Sequence, residues 1–165
     1  MYLTFAPRNI LQIDDARIVF RNFKGIASKF NNEGERNFAV VIPDQEIADA
    51  LLNDKNQFGA SWNVRIKAPK DGGDMPFIYL PVKVRFNERG PKIFLISGNH
   101  RTELKEDTVG ILDDIDIRSI DMDIRPYDGE GAMGPFRSAY LQSMEVIQEV
   151  DRFTARYAAE EHPEE

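Results

Sequence analysis

The sequence predicts a mainly β protein of antiparallel strands, with two short helices and a disordered acidic C-terminal tail. Seven segments rich in β-branched and aromatic residues are bounded by Gly, Pro, Asn and Asp. Within the clearest of them, apolar and charged residues alternate. The strand pattern stops at Val150, after which carboxylates dominate.

The strand segments are residues 17–23, 37–42, 63–67, 77–86, 92–97, 115–127 and 136–149. Val82-Lys83-Val84-Arg85-Phe86 and Ile120-Asp121-Met122-Asp123-Ile124-Arg125 alternate cleanly, so each covers a core on one side only. Asp44, after Pro43, can cap a helix over 45–53 that turns Ile47, Ala48, Leu51 and Leu52 toward the core. Asp107 can cap a second over 108–113. Asn87-Glu88-Arg89-Gly90-Pro91 supplies the glycine of a hairpin loop, which predicts that the strands on either side of it pair with each other. Glycine-rich stretches at 24–36, 68–76 and 128–135 read as surface loops. The chain is thus expected to form one domain over 1–150 and a tail over 151–165. Within the tail, 151–159 can form a weak helix with Phe153 and Tyr157 on one face.

A domain of this length buries roughly 70% of its unfolded surface and needs no staple. The absence of cysteine excludes disulfides, zinc ribbons and thiol nucleophiles. No apolar run follows Met1 at signal-peptide length, and none approaches the roughly 20 residues of a membrane span, so a cytoplasmic protein with no membrane partner is expected. The net charge of −7 is unevenly spread: residues 1–112 carry a balance of +2, and residues 113–165 one of −9. A polyanion responds to a local basic face and not to the sum, so the overall acidity does not exclude one.

Catalytic inventory is poor. Only His100 and His162 are present, and phosphate-cradling glycine motifs and a nucleophile elbow are lacking. No enzyme activity, catalytic residue or cofactor is expected. Asp113, Asp114, Asp116, Asp121 and Asp123 could in principle hold Mg²⁺ for a nuclease. Asp121 and Asp123 fall on the polar side of an alternating strand, however, and Asp113 and Asp114 at a helix end. A solvated acidic face accounts for all of them without a metal.

Basic residues interleave with aromatic ones: Arg17, Arg21-Asn22-Phe23-Lys24, Lys29-Phe30, Arg36-Asn37-Phe38, Trp62, Arg65 with Lys67, Tyr79, and Lys83 with Arg85 and Phe86. A single-strand binder needs both types, because cations track phosphates while aromatic faces stack bases. Arg65 and Lys67, like Lys83 and Arg85, alternate and so project from one face. The expected contacts are Arg17, Arg21, Lys24, Lys29, Arg36, Arg65, Lys67, Lys83 and Arg85, with Phe30, Trp62 and Tyr79 as stacking rings. Phe23, Phe38 and Phe86 read as core, and Trp62 reads equally well as an anchor where Gly59-Ala60-Ser61 enters a strand.

Pattern alone leaves small barrel and sandwich open. Phe20–Phe23 with Lys24-Gly25, Lys29-Phe30-Asn31, Gly34-Glu35-Arg36-Asn37-Phe38, Trp62-Asn63-Val64-Arg65, Pro91-Lys92-Ile93-Phe94-Leu95-Ile96, Asp107-Thr108-Val109-Gly110 and Ala139-Tyr140-Leu141 resemble blocks of a group of phage-encoded single-stranded-DNA-binding proteins. The similarity spans roughly residues 17–150. It implies an OB-like antiparallel barrel that coats single-stranded DNA during phage replication or recombination in the host cytoplasm, with homo-oligomerisation left open. The glycine-rich stretch 128–135 departs from the longer hairpin of that group. The acidic end resembles, in charge only, tails that recruit replication and recombination proteins. The rival reading is an acidic interaction protein that imitates DNA through Asp113–Asp123 and has no nucleic-acid affinity.

Overall fold

The computed structural model describes residues 1–69 and 75–151, and its ten strands form one sheet. β1 (Tyr2–Ala6) and β2 (Ile10–Asp14) make a hairpin across Pro7–Asn9, where Arg8 and Asn9 take left-handed backbone. Next come β3 (Ile18–Asn22), β4 (Arg36–Val41), helix α1 (Gln45–Asn53), β5 (Arg65–Lys67), β6 (Phe77–Val84), β7 (Lys92–Ser97) and β8 (His100–Leu104). A 3-10 helix, Val109–Asp113, precedes the long pair β9 (Ile117–Gly131) and β10 (Gly134–Gln148). The order is β1-β2-β9-β10-β6-β4-β3, with β5 on β6 and the β7–β8 hairpin on β10. None of the helices in the described residues is long and apolar enough to cross a membrane.

The long hairpin organises the rest. Ile124 opposes Leu141, Met122 opposes Met144 and Ile120 opposes Val146, all buried. The inward series on β10 runs Ala139, Leu141, then Met144, Val146, with a bulge at Gln142 absorbing the extra residue. Without that bulge, one half of the strand would turn its apolar face to water. Ile78, Leu80, Val82 and Val84 of β6 and Phe38 and Val40 of β4 complete the same core. Ala48 and Leu51 of α1 close one side, and the Asp44 carboxylate accepts from Ile47 N at 2.9 Å as the expected cap.

Several expectations are corrected. The sheet is mixed and its path is open, not an antiparallel barrel: β10 runs parallel to both β6 and β7. β6 and β7 do not pair with each other across Asn87–Gly90; that turn closes on itself, and the two strands lie one after the other along the same edge of β10. The second helix is a 3-10 turn, and Thr108, not Asp107, stands at its start. β1, β2 and β8 arise where no strand is expected, and β9 and β10 run through 128–135 to a tip at Ala132 and Met133. Beyond Asp151 the expected tail lies outside the described residues, as does part of 68–76.

One polar cluster pins the 54–62 connection to the hairpin. Arg137 of β10 is 2% exposed; its guanidinium donates to Asp128 at 2.8 and 3.1 Å and to Asp54 at 3.3 Å, and lies 5.0 Å from the Trp62 ring. Trp62 Nε1 donates to Asp54 at 2.8 Å, and Asn56 Nδ2 donates to Asp128 at 2.9 Å. A buried guanidinium is tolerated because its partners are ionised and in hydrogen-bond range. Arg137→Met strands the carboxylates of Asp128 and Asp54. It is expected to lower unfolding stability by about 3–5 kcal/mol in urea denaturation, whereas Lys24→Met, on an exposed pair with Asp114, leaves the midpoint close to wild type.

The same cluster sets a pH dependence. Burial pushes the Asp128 carboxyl up, but hydrogen bonds from Arg137 and Asn56 and the Arg137 charge outweigh it, holding the group below its ordinary 3.8. A folded value below the unfolded one stabilises above the unfolded value, and this stabilisation is lost as pH falls through the folded value. Asp128→Asn should therefore be less stable than wild type at neutral pH, with the gap narrowing below 3.8. A gap that is constant with pH would show that the carboxylate's charge is not what matters.

Candidate nucleic-acid interface

Strand pairing assembles an exposed aromatic and basic face. Arg65 pairs with Tyr79 and Lys67 with Phe77, so all four side chains stand on the outer side of the sheet, opposite the core face of Ile78 and Leu80. Phe20 joins them through an irregularity. The β3–β4 register shifts between Val19 and Asn22, and Phe20 sits there at φ 54°. Its ring, 57% exposed, meets Tyr79 edge-on at 5.5 Å and Phe77 at 6.1 Å, with the Lys67 ammonium 5.9 Å from its centre.

Beside this cluster lies a groove of about 680 Å³ lined by Phe20, Phe30, Asn37, Tyr79, Pro81 and Lys83, among others. Phe30 is 91% exposed, and the Lys29 ammonium stands 5.8 Å from its ring. The loop that presents Phe30 is built, not slack. Asn22 Oδ1 accepts from Ile26 N at 2.9 Å, Asn31 Nδ2 donates to Ile26 O and Glu35 O, and Asn37 Nδ2 donates to Asn31 Oδ1 at 2.7 Å. The Asp113 carboxylate accepts from Phe23 N at 2.8 Å and Lys24 N at 2.9 Å. Gly25, at φ 69°, lies so near Gly34 that an added Cβ would sit 3.1 Å from its backbone.

Farther along the same face, Tyr140 pairs with Lys83 on one side and Arg125 on the other. The Lys83 ammonium lies 5.7 Å and the Arg125 guanidinium 5.0 Å from its ring. Tyr127 continues the aromatic run, 6.0 Å from both Tyr140 and Phe136.

Of the expected residues, the structure gathers Lys29, Phe30, Arg65, Lys67, Tyr79, Lys83 and Arg85 around this face. Arg17 lines a separate hollow with Asp15 and Pro43 that reaches the face only at Phe77. Three cations have partners inside the fold. Arg21 Nη1 donates to Leu112 O at 2.8 Å and Ile115 O at 2.7 Å, Lys24 pairs with Asp114 at 2.7 Å, and Arg36 reaches Glu106 at 3.5 Å. Trp62, 1% exposed, is core and presents no ring to a base. The repeated Arg-Asn-Phe is architectural as well: Phe23 and Phe38 stack in the core at 5.2 Å, and their asparagines hold the loop.

Phe20, Phe77, Tyr140 and Arg125 escape the sequence reading. Phe77 shares the parity of Tyr79 and Lys83, and Arg125 falls on the polar side of the alternating 120–125 segment, so both were within reach. The acids of the rival readings have structural tasks: Asp121 accepts from Asp15 N at 2.9 Å and Asp123 from the Ser143 hydroxyl at 3.3 Å. Among the described residues, no three His, Asp or Glu side chains converge as metal ligands. Exposed rings among unpaired cations can stack bases and neutralise phosphates, and nothing in the arrangement resembles a nucleophile with its base.

No curated protein matches the sequence. Three solved structures are similar in fold, each 15% identical in sequence. The C-terminally truncated single-stranded DNA-binding protein from bacteriophage Enc34 has a TM-score of 0.55, covering 89% of this chain and 90% of that one. The protein without that truncation gives 0.52, with 92% and 87% covered, and its complex with ssDNA gives 0.51, with 92% and 93% covered. The sequence profile of the phage ssDNA-binding domain family matches residues 3–164, so the chain belongs to that family.

Proposed function

We propose that the protein binds single-stranded DNA, with little sequence preference, along the outer face of β5, β6 and β10. The observation that carries this reading is the exposed cluster of Phe20, Phe77 and Tyr79 flanked by Arg65 and Lys67, with Phe30 facing it across the groove. Family membership and the fold it shares with a phage protein solved on ssDNA support it. Bound this way, the strand would be shielded from nucleases and from re-pairing during phage DNA replication or recombination, with no turnover and no cofactor.

An OB-like reading of residues 1–150 fits this use. β2 borders β9, with Ala16 N donating to Ile120 O at 2.8 Å, and β3, next in the chain, borders β4 at the far end of the open path. The acidic tail remains a candidate surface for recruiting replication or recombination proteins.

Labelled single-stranded oligonucleotides, followed by fluorescence anisotropy at low and moderate salt, test the reading. Phe20→Ala and Tyr79→Ala are each expected to weaken binding by roughly 5- to 150-fold, the loss of about 1–3 kcal/mol of base stacking. Lys67→Ala should flatten the dependence of log affinity on log salt by about 0.7. Failure of the wild type to bind at low salt would overturn the reading in favour of an acidic protein-binding role. Emission from Trp62, the only tryptophan, should change little on saturation because its ring is enclosed. Strong quenching would place a base against a residue assigned here to the core.

A further inference from the structure

We propose a second, chemically distinct segment of the binding path: a cleft that holds the phosphodiester backbone of the strand after it leaves the aromatic groove, without stacking its bases. This rests on the single-strand reading above. The cleft, about 620 Å³, lies beneath the turn between β6 and β7 and is lined by Arg85, Arg89, Lys92 and Arg125 above Gln142 and Ser143. Among the described residues, no aromatic ring and no carboxylate lines it. Among the described residues, none of the four cations is ion-paired. Four positive charges without an ion-pair partner around one hollow favour a polyanion, Lys92 standing at the border with the acidic hollow beyond, and the absence of rings from the lining leaves bases nothing to stack on.

The cleft is a product of strand pairing. Tyr140 of β10 pairs with Lys83 of β6, and Ser143 pairs with Lys92 of β7; Leu141 and Gln142, between them, have no ladder partner on that edge. Residues 85–91 bridge the interval as an excursion that walls the gap. Gly90, at φ 134°, permits this close seat: an added Cβ would lie 3.1 Å from Lys92 N and 3.7 Å from Gln142 O.

The cleft is continuous with the aromatic groove. Lys83 lines both the groove and a middle hollow of about 580 Å³, and Arg85 lines both that hollow and the cleft. Tyr140 lines the middle hollow, as do Glu33, Glu35 and Glu106, of which Glu106 is engaged by Arg36. From Tyr79 to Arg85 is six residues of extended chain, roughly 20 Å. Beyond Lys92 the surface turns acidic, with Asp14, Asp121, Asp123 and Glu145 around the next hollow. Repulsion from these carboxylates disfavours continuation of the strand past Lys92, which borders both hollows.

The test uses the full chain, with oligothymidylates of roughly 4 and roughly 16 nucleotides, the extremes of site size for one module of this kind, and a duplex competitor. The double variant Arg89→Ala/Lys92→Ala should bind the short strand as wild type does. It should bind the long one at least 10-fold more weakly at low salt, with a salt slope shallower by about 1.4. Arg89→Gln/Lys92→Gln, which keeps polar hydrogen-bonding side chains but removes both charges, should behave alike. Unchanged long-strand affinity and slope, equal loss for both lengths, or a loss confined to duplex would each overturn the proposal. A wild type that binds neither strand would instead overturn the single-strand reading itself.

Discussion

Strand β10 must satisfy three neighbours with two edges. One edge is filled along its length by β9, while the other is divided between β6 and β7, both parallel to it. From that division follow the bulge that keeps both halves facing the core, the excursion at 85–91, and the position of Tyr140 between Lys83 and Arg125. An ordinary β6–β7 hairpin would have covered the edge of β6 and closed the gap beside Gln142. The basic track thus exists because the ladder is interrupted at one place, and the interruption is tolerated because the excursion turns back tightly over it.

Cations in this fold divide by what surrounds them. Arg137 is enclosed by Asp128, Asp54 and Trp62; removing it would leave unpaired carboxylates in a poorly solvated place, so it belongs to stability. Arg21 and Lys24 are tied to the 112–115 segment and, with Asp113, hold the loop that carries Phe30. Arg65, Lys67, Lys83 and Arg85 stand exposed beside rings or one another. The net charge of −7 is compatible with a polyanion because the exposed cations share one face, while acids such as Asp54, Asp128, Asp113 and Asp114 are engaged elsewhere by Arg137, backbone N–H groups and Lys24.

Strands with one apolar face were legible in the sequence. Segments 82–86 and 120–125 were readable by alternation, 37–42 and 92–97 as short apolar and aromatic runs bounded by turn residues, and Asp44 marked the start of α1. β8 was not, because His100-Arg101-Thr102-Glu103 has almost no apolar side to bury and is held by its backbone ladder to β7. Which strands pair was illegible: Asn87–Pro91 has hairpin composition, and only the competing edge of β10 decides against it. At the site, Arg65, Lys67, Lys83 and Arg85 were readable by parity alone. Arg21 and Arg36 looked identical in kind, and their carbonyl and carboxylate partners come from about 70 to 90 residues away.

Phe20 shows why the binding face itself resists alternation. Parity from Ile18 would send its ring inward, yet the register shift and left-handed backbone put it outside. That backbone costs a non-glycine residue about 1–2 kcal/mol, while two edge-on aromatic contacts return about 0.5–1.5 kcal/mol each. The two nearly cancel, so folding gains little from the ring being where it is. Trp62 is the opposite case: its ring is enclosed, its N–H is satisfied by Asp54, and a guanidinium covers its face. A ring whose placement the fold barely rewards, held exposed at a left-handed position between Tyr79 and Lys67, is one that the proposed DNA face would use and the core does not need.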